Sequence, residues 1–206
     1  MSYEAILYGV EDGVATITLN KPERLNAFDN QMLEEWADAI HCADQDRSVG
    51  AVIITGAGRG FCSGMNVAAE AGGSGVLRSQ ASVADRRHSL RDRVHPIPRA
   101  LIQLEKPYIA AINGAAAGAG MDMATMADIR FASSTARMGM TYVRMGLIPG
   151  DGGTYSLPRV VGDGCLRAGR VAPAREGLRP ADRQWARRGC AAFQEARVSL
   201  RQHLLR

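Results

Sequence analysis

The sequence predicts an α/β layered fold, and three observations carry that prediction. Tyr3 to Val10 and Val14 to Leu19 alternate apolar and polar residues on either side of Glu11-Asp12-Gly13, the pattern of a β-hairpin. Ala51 to Thr55 is a continuous apolar run of strand length, expected where a strand is covered on both faces. Strand-like, glycine-rich and helix-period segments then alternate along the chain.

In order, Asn20 to Arg24 closes the hairpin with a polar loop, and Asp29 is placed to cap a helix whose apolar face uses Met32, Leu33, Trp36, Ala37 and Ile40. Gly56 to Asn66 is glycine-rich. It lacks the Gly-Lys-Ser/Thr of a phosphate loop, and Phe61 stands where a dinucleotide fingerprint needs its third glycine. Gly60-Phe-Cys-Ser-Gly64 fits a cysteine version of the nucleophile elbow, with Cys62 as nucleophile. Only His88, His95 and His203 follow it, none at the end of a visible strand, so Cys62 as a small buried filler beside Phe61 is preferred. Ala68 to Ser82 reads as a small-residue loop. Asp85 to Glu105 is charged and then amphipathic through Ile97, Leu101 and Leu104, with Pro96 and Pro98 against one continuous helix.

The chain is organised around Ala110 to Ala132. Pro107 to Ile112 has strand length, Asn113-Gly114 punctuates it, and Gly114 to Gly120 carries no side chain larger than methyl, so something approaches this backbone closely. A helix starting near Ala119 would aim unpaired N–H groups at that guest, which suits an anion or a developing oxyanion. Tight packing of the helix on a sheet is the other reading. Asp128 to Ala132 is a further strand candidate, and Gly146 to Gly153 a long turn feeding a helix from Thr154 to Val161.

At 206 residues, 46% hydrophobic and 22% charged, the composition is that of a soluble globular chain with one sizeable core. No signal peptide or membrane span is legible, and Cys42, Cys62, Cys165 and Cys190 lack metal-site spacing, so the expectation is a cytoplasmic protein with neither metal nor membrane partner. The formal net charge of +4 invites a nucleic-acid reading until it is located. Up to Pro158 there are 14 Lys+Arg against 17 Asp+Glu, a net of −3; from Arg159 onward 11 Arg face 4 acids, a net of +7. The basicity belongs to the end of the chain, and no nucleic-acid partner is expected.

Four segments in this order resemble the enoyl-CoA hydratase/isomerase (crotonase) superfamily: Asn20 to Ala27, Gly56 to Asn66, Ala111 to Gly120, and Gly146 to Gly153 with Leu157 to Gly162. The resemblance runs from about Tyr3 to Gly162. It implies a crotonase-like spiral of ββα units, assembled as homotrimers or hexamers, that takes acyl-CoA thioesters as substrate and needs no other cofactor. By position, the two backbone donors of its oxyanion hole fall on Met65 and Ala119, and Asp122 takes the first catalytic carboxylate position, one methylene shorter than the usual Glu. The second carboxylate position falls on Tyr142, which cannot serve as a carboxylate base at neutral pH and is read as lining the acyl pocket. Asp151 is the nearest other acid, as a proton-transfer group or as a helix cap. Arg24, Leu25, Ala27, Cys62, Gly64, Asn66, Val67, Gly118, Thr141 and Gly150 fall in the segments that hold the acyl-CoA. Asn66 replaces the family's common Asp and is expected to shape the same loop. Two alternatives are an acyl-CoA-binding homologue without turnover, and a Cys62-dependent hydrolase.

These features divide the chain into an acyl-CoA-binding core, residues 1–162, and an arginine-rich tail, residues 163–206. The family's covering helices are not legible in that tail. A shifted reading frame in GC-rich coding sequence is preferred over a specialised basic arm, with weak stability and impaired assembly expected.

Overall fold

The computed structural model describes residues 2–66 and 82–161. Val67, most of the small-residue loop and the whole of 163–206, with every expectation attached to them, lie outside the described residues.

Two sheets form. The larger has five strands in the order β1 (Ile6–Glu11), β2 (Val14–Leu19), β3 (Ala51–Gly56), β5 (Tyr108–Ile112) and β7 (Ile129–Ala132). Its first pair is antiparallel and the others are parallel. The smaller sheet has three parallel strands, β4 (Gly60–Cys62), β6 (Ala115–Ala117) and β8 (Met138–Gly139). The chain visits the two sheets alternately, β3 then β4, β5 then β6, β7 then β8.

The hairpin closes through Asp12 and Gly13, both with positive φ (52° and 76°), the two-residue geometry that matches strand twist. Its first strand begins at Ile6 rather than Tyr3. The Glu35 carboxylate accepts from the N–H groups of Glu4, Ala5 and Ile6, which draws residues 4 and 5 out of the ladder. In β3, Val52 and Ile54 are buried while Ala51, Ile53 and Thr55 are half-buried, so one face carries the core and the other is partly covered.

Helix α1 (Asn30–Gln45) starts where Asp29 accepts from the Met32 N–H at 3.1 Å. Its buried stripe is Met32, Leu33, Trp36, Ala39, Ile40 and Ala43; Ala37 is half-exposed, because the stripe at 36, 39, 40 and 43 leaves position 37 at its edge. Trp36 Nε1 donates to the Tyr108 hydroxyl at 3.2 Å, tying α1 to β5 through two buried aromatic residues. The amphipathic segment is broken as its prolines require: α2 (Val83–Ser89), a π-helical turn (Leu90–Val94), then α3 (Pro96–Gln103) with Pro96 at its first turn. Strands β6 and β8 have no sequence signal, since three alanines and a Met-Gly pair carry little β-propensity. No helix among the described residues is long and apolar enough to cross a membrane.

Candidate active site

The site forms where the second sheet meets helix α4 (Ala119–Thr125). Gly118 enters that helix with φ 52° and ψ −124°, and its N–H is spent on the Gly139 carbonyl of β8. The first helical N–H groups, beginning with that of Ala119, have no intrahelical acceptor. Opposite them lies Gly64, at φ +90°. A Cβ there would sit 2.8 Å from the Ala117 oxygen and 3.3 Å from the Ala119 nitrogen, so only glycine lets the two backbones approach.

Met65 follows immediately. It forms an isolated parallel bridge with Phe28, in which Phe28 N–H donates to the Gly64 carbonyl (2.9 Å) and Asn66 N–H donates to the Phe28 carbonyl (3.2 Å). Gly64 and Asn66 thus face Phe28, and the Met65 N–H points the other way, with no hydrogen-bond acceptor among the described residues. The structure therefore brings the backbone of Met65 close to the N-terminus of α4, with two N–H groups that have no acceptor among the described residues.

The segment Arg24 to Phe28 lies alongside Cys62 to Asn66. Ser63 N–H donates to the Leu25 carbonyl, the Ser63 hydroxyl to the Arg24 carbonyl, and the Cys62 thiol to the Asn26 carbonyl (3.2 Å). Arg24 is exposed, Leu25 is left-handed at φ 53°, and Ala27 and Cys62 are buried. Thr141 Oγ1 would lie 3.2 Å from a Cβ on Gly118, so these two are neighbours. Gly150 is exposed, and its carbonyl pairs with His95 Nε2 at 3.0 Å. Burial pushes the Cys62 thiol up to about 12, so it stays protonated, and the residues hydrogen-bonded to it include no histidine. This is the environment of a packing residue, not of a thiolate nucleophile.

Asp122 lies one turn along α4 from Ala119 and is fully buried. Its Oδ2 accepts from the Tyr142 hydroxyl at 2.7 Å, and the same hydroxyl oxygen lies 3.1 Å from Oδ2 of Asp151. Asp151 therefore meets Tyr142 directly and joins Asp122 across it. Asp122 Oδ1 accepts no hydrogen bond among the described residues. Gly153, which opens α5 (Gly153–Val161), lies against it: a Cβ there would stand 1.7 Å from Oδ1, and its N–H favours the carboxylate without forming a hydrogen bond. Burial is the main cause that pushes Asp122 up to about 6; Asp151 adds to the rise and the Tyr142 hydroxyl opposes it. Burial likewise pushes Asp151 up to about 6, and it raises the Tyr142 hydroxyl further above its ordinary range.

Two asparagines that sequence reasoning used only as loop residues hold the floor of the site. Buried Asn26, at φ 55°, donates through Nδ2 to the carbonyls of Ala57, Gly60 and Phe61 (2.9 to 3.1 Å), and its Oδ1 accepts from Lys21 N–H. Asn113 Nδ2 donates to the carbonyls of Gly56, Gly58 and Gly60. The signal for both was present, an asparagine beside a glycine-rich loop that needs donors for its carbonyls.

Residues 9–176 match the family described as Enoyl-CoA hydratase/isomerase. The chain belongs to this family. Over 159 residues it is 40% identical to the 1,2-epoxyphenylacetyl-CoA isomerase of Escherichia coli (strain K12), covering 77% of this chain and 59% of that protein. Over 168 residues it is 37% identical to the short-chain-enoyl-CoA hydratase of Clostridium acetobutylicum, covering 81% and 61%. The solved enoyl-CoA hydratase/isomerase of Xanthobacter autotrophicus Py2 superposes with a TM-score of 0.70 at 34% identity, covering 79% of this chain and 57% of that one. The fold is thus the crotonase-like α/β spiral of the enoyl-CoA hydratase/isomerase family. The chain spans about three-fifths of the length of these curated relatives. The family match also reaches residue 176, past Gly162, where the sequence pattern fades.

Proposed function

We propose that this chain carries out acyl-CoA thioester chemistry of the enoyl-CoA hydratase/isomerase type, passing through a thioester enolate. The observation that carries the reading is the pairing of two unspent backbone donors, Met65 N–H and Ala119 N–H, with a fully buried carboxylate one helical turn away. Donors aimed where negative charge develops stabilise it only along the reaction path, typically by ~3 kcal/mol each. In this reading the thioester oxygen lies between Met65 and Ala119, and Asp122 takes the proton from the neighbouring carbon. The C–H electron pair moves into the enolate. Arg24, Leu25, Ala27, Cys62, Gly64 and Asn66 supply the wall along which the CoA portion runs, and coenzyme A enters as part of the substrate.

The test is a screen of short, medium and aromatic acyl-CoA thioesters for deuterium exchange at the carbon beside the carbonyl. Exchange that falls at least ~10²-fold in Asp122→Asn, with binding of the CoA ester kept, supports the reading. Binding without exchange in the wild type would reduce the chain to an acyl-CoA-binding homologue. No binding of any CoA ester would overturn the reading.

A further inference from the structure

Tyr142 stands between two acids. Its hydroxyl oxygen is 2.7 Å from Asp122 and 3.1 Å from Asp151, and all three residues are buried. A phenol has one proton and donates to one carboxylate; the other oxygen–oxygen contact is a hydrogen bond only if that carboxyl group brings a proton of its own. Two ionised carboxylates around one hydroxyl oxygen would also repel in a site with little water, where like-charged acids hold a proton between them.

We propose that Asp122, Tyr142 and Asp151 hold one carboxyl proton in common, so that the trio carries a single negative charge near neutral pH and offers a base and an acid together. The proton inventory stands on the geometry; its use in catalysis rests on the acyl-CoA reading above.

The groups facing the trio fit this inventory. No Lys or Arg among the described residues is ion-paired with either carboxylate. Asp122 faces Tyr142, Asp151 and the backbone of Gly153. Asp151 faces Tyr142, and its charge reaches the Cys62 thiol, which stays neutral; the His95 ring is engaged with the carbonyl of the preceding Gly150. The Thr125 hydroxyl is spent on the Asp122 carbonyl and Ser156. The raised position of both carboxyls agrees with a shared proton, and the titration belongs to the pair and not to either residue. In turnover the ionised member takes a proton from the substrate carbon: a C–H bond breaks, an O–H bond forms, and the electron pair enters the enolate. The trio then holds two carboxyl protons. It returns one when the enolate is protonated, with no oxidant or reductant involved.

Infrared spectroscopy of the full chain in D₂O tests this without any substrate. At pH 7 the wild type should show the band of one neutral buried carboxyl group, which titrates away as the pH is raised. The band should be missing from both Asp122→Asn and Asp151→Asn, because loss of either acid lets the other ionise. Absence of the band in the wild type at pH 7 would overturn the proposal, and that measurement needs no variant to fold. Survival of the band in one Asn variant would overturn it too, since the proton would then belong to a single residue. In the exchange assay Asp151→Asn should lose the basic limb of the pH profile while keeping the acidic one. A wild type that shows the band but exchanges no acyl-CoA ester would sink the acyl-CoA reading and leave the shared proton standing.

Discussion

Replacing Asn26 with Ala should be among the most damaging single changes in the described chain, and the size of the effect follows from its contacts. The substitution removes the donors to Ala57, Gly60 and Phe61 and the acceptor for Lys21 N–H. Buried polar groups left without partners cost about 1–3 kcal/mol, and neighbouring carbonyls that shared two protons do not each lose the full amount. Alanine must also hold φ near 55°, where an L-residue with no side-chain hydrogen bond loses a further ~1–2 kcal/mol. The expected loss is therefore about 3–5 kcal/mol, a large share of the stability of an ordinary domain. Urea unfolding followed by circular dichroism measures it. Asn26→Asp sharpens the test, since it keeps the acceptor for Lys21 but sets a carboxylate against three carbonyl oxygens. Its folded-state pKa must rise above the unfolded value of about 3.9, so the extra penalty is full at pH 7 and shrinks as pH falls through the folded pKa. A loss under ~1 kcal/mol for Asn26→Ala, or an Asp deficit relative to wild type that does not shrink on acidification, would show that these contacts do not hold the loop.

Gly153→Ala places a methyl carbon where Asp122 Oδ1 now lies, so exchange activity should fall ~10²-fold or more while CoA-ester binding stays near wild type; kcat and KM measured separately decide it. Because burial pushes both the Asp122 and Asp151 carboxyls up, uptake of a second proton by the pair should make kcat/KM decline on the acid side above the ordinary aspartate value of about 4, whereas a decline at about 4 would show that water reaches the pair. Native-state alkylation followed by peptide mapping should label half-exposed Cys42 and spare Cys62, leaving turnover unaffected at Cys62. Asp29→Ala should cost about 1–2 kcal/mol through loss of the α1 cap. Burial pushes the Asp29 carboxyl upward, but the Lys21 ammonium and the Met32 N–H outweigh it and hold the pKa below the usual range. That contribution is present above the unfolded pKa and disappears as pH falls through the folded one, so wild type and Asp29→Ala should converge in strong acid.

The strands with strong side-chain patterns were legible: β1, β2, β3, β5 and β7 lie on the runs that alternate or are continuously apolar. Strands β4, β6 and β8 were not, because they are two or three residues long and are made by the backbone contacts around them. Ala119 was legible as a helix start from the stretch of small residues before it. The role of Gly64 needed the opposing helix, since its lack of a side chain matters only once Ala117 and Ala119 come within 3.3 Å of where a Cβ would be. Tyr142 shows the limit most clearly. Read by position it is a failed carboxylate, and only the fold brings Asp151 to its other side.

The alternation of the chain between its two sheets has a consequence for the order in which the molecule comes into being. Each excursion adds one strand to each layer, so the groups at the site come from successive excursions: Met65 from one, Ala119 and Asp122 from the next, Tyr142 and Asp151 from the last. During synthesis at ~5–20 residues per second, Met65 and Asp151 leave the peptidyl centre about 4–17 s apart. The hairpin, α1 and β3 have partners almost at once, whereas the carboxyl pair has none until the turn before α5 emerges. Asp122 waits only for the 29 residues from 122 to 151, about 1.5–6 s at that rate, as an ordinary acid, and its altered chemistry begins when Tyr142 and Asp151 close over it.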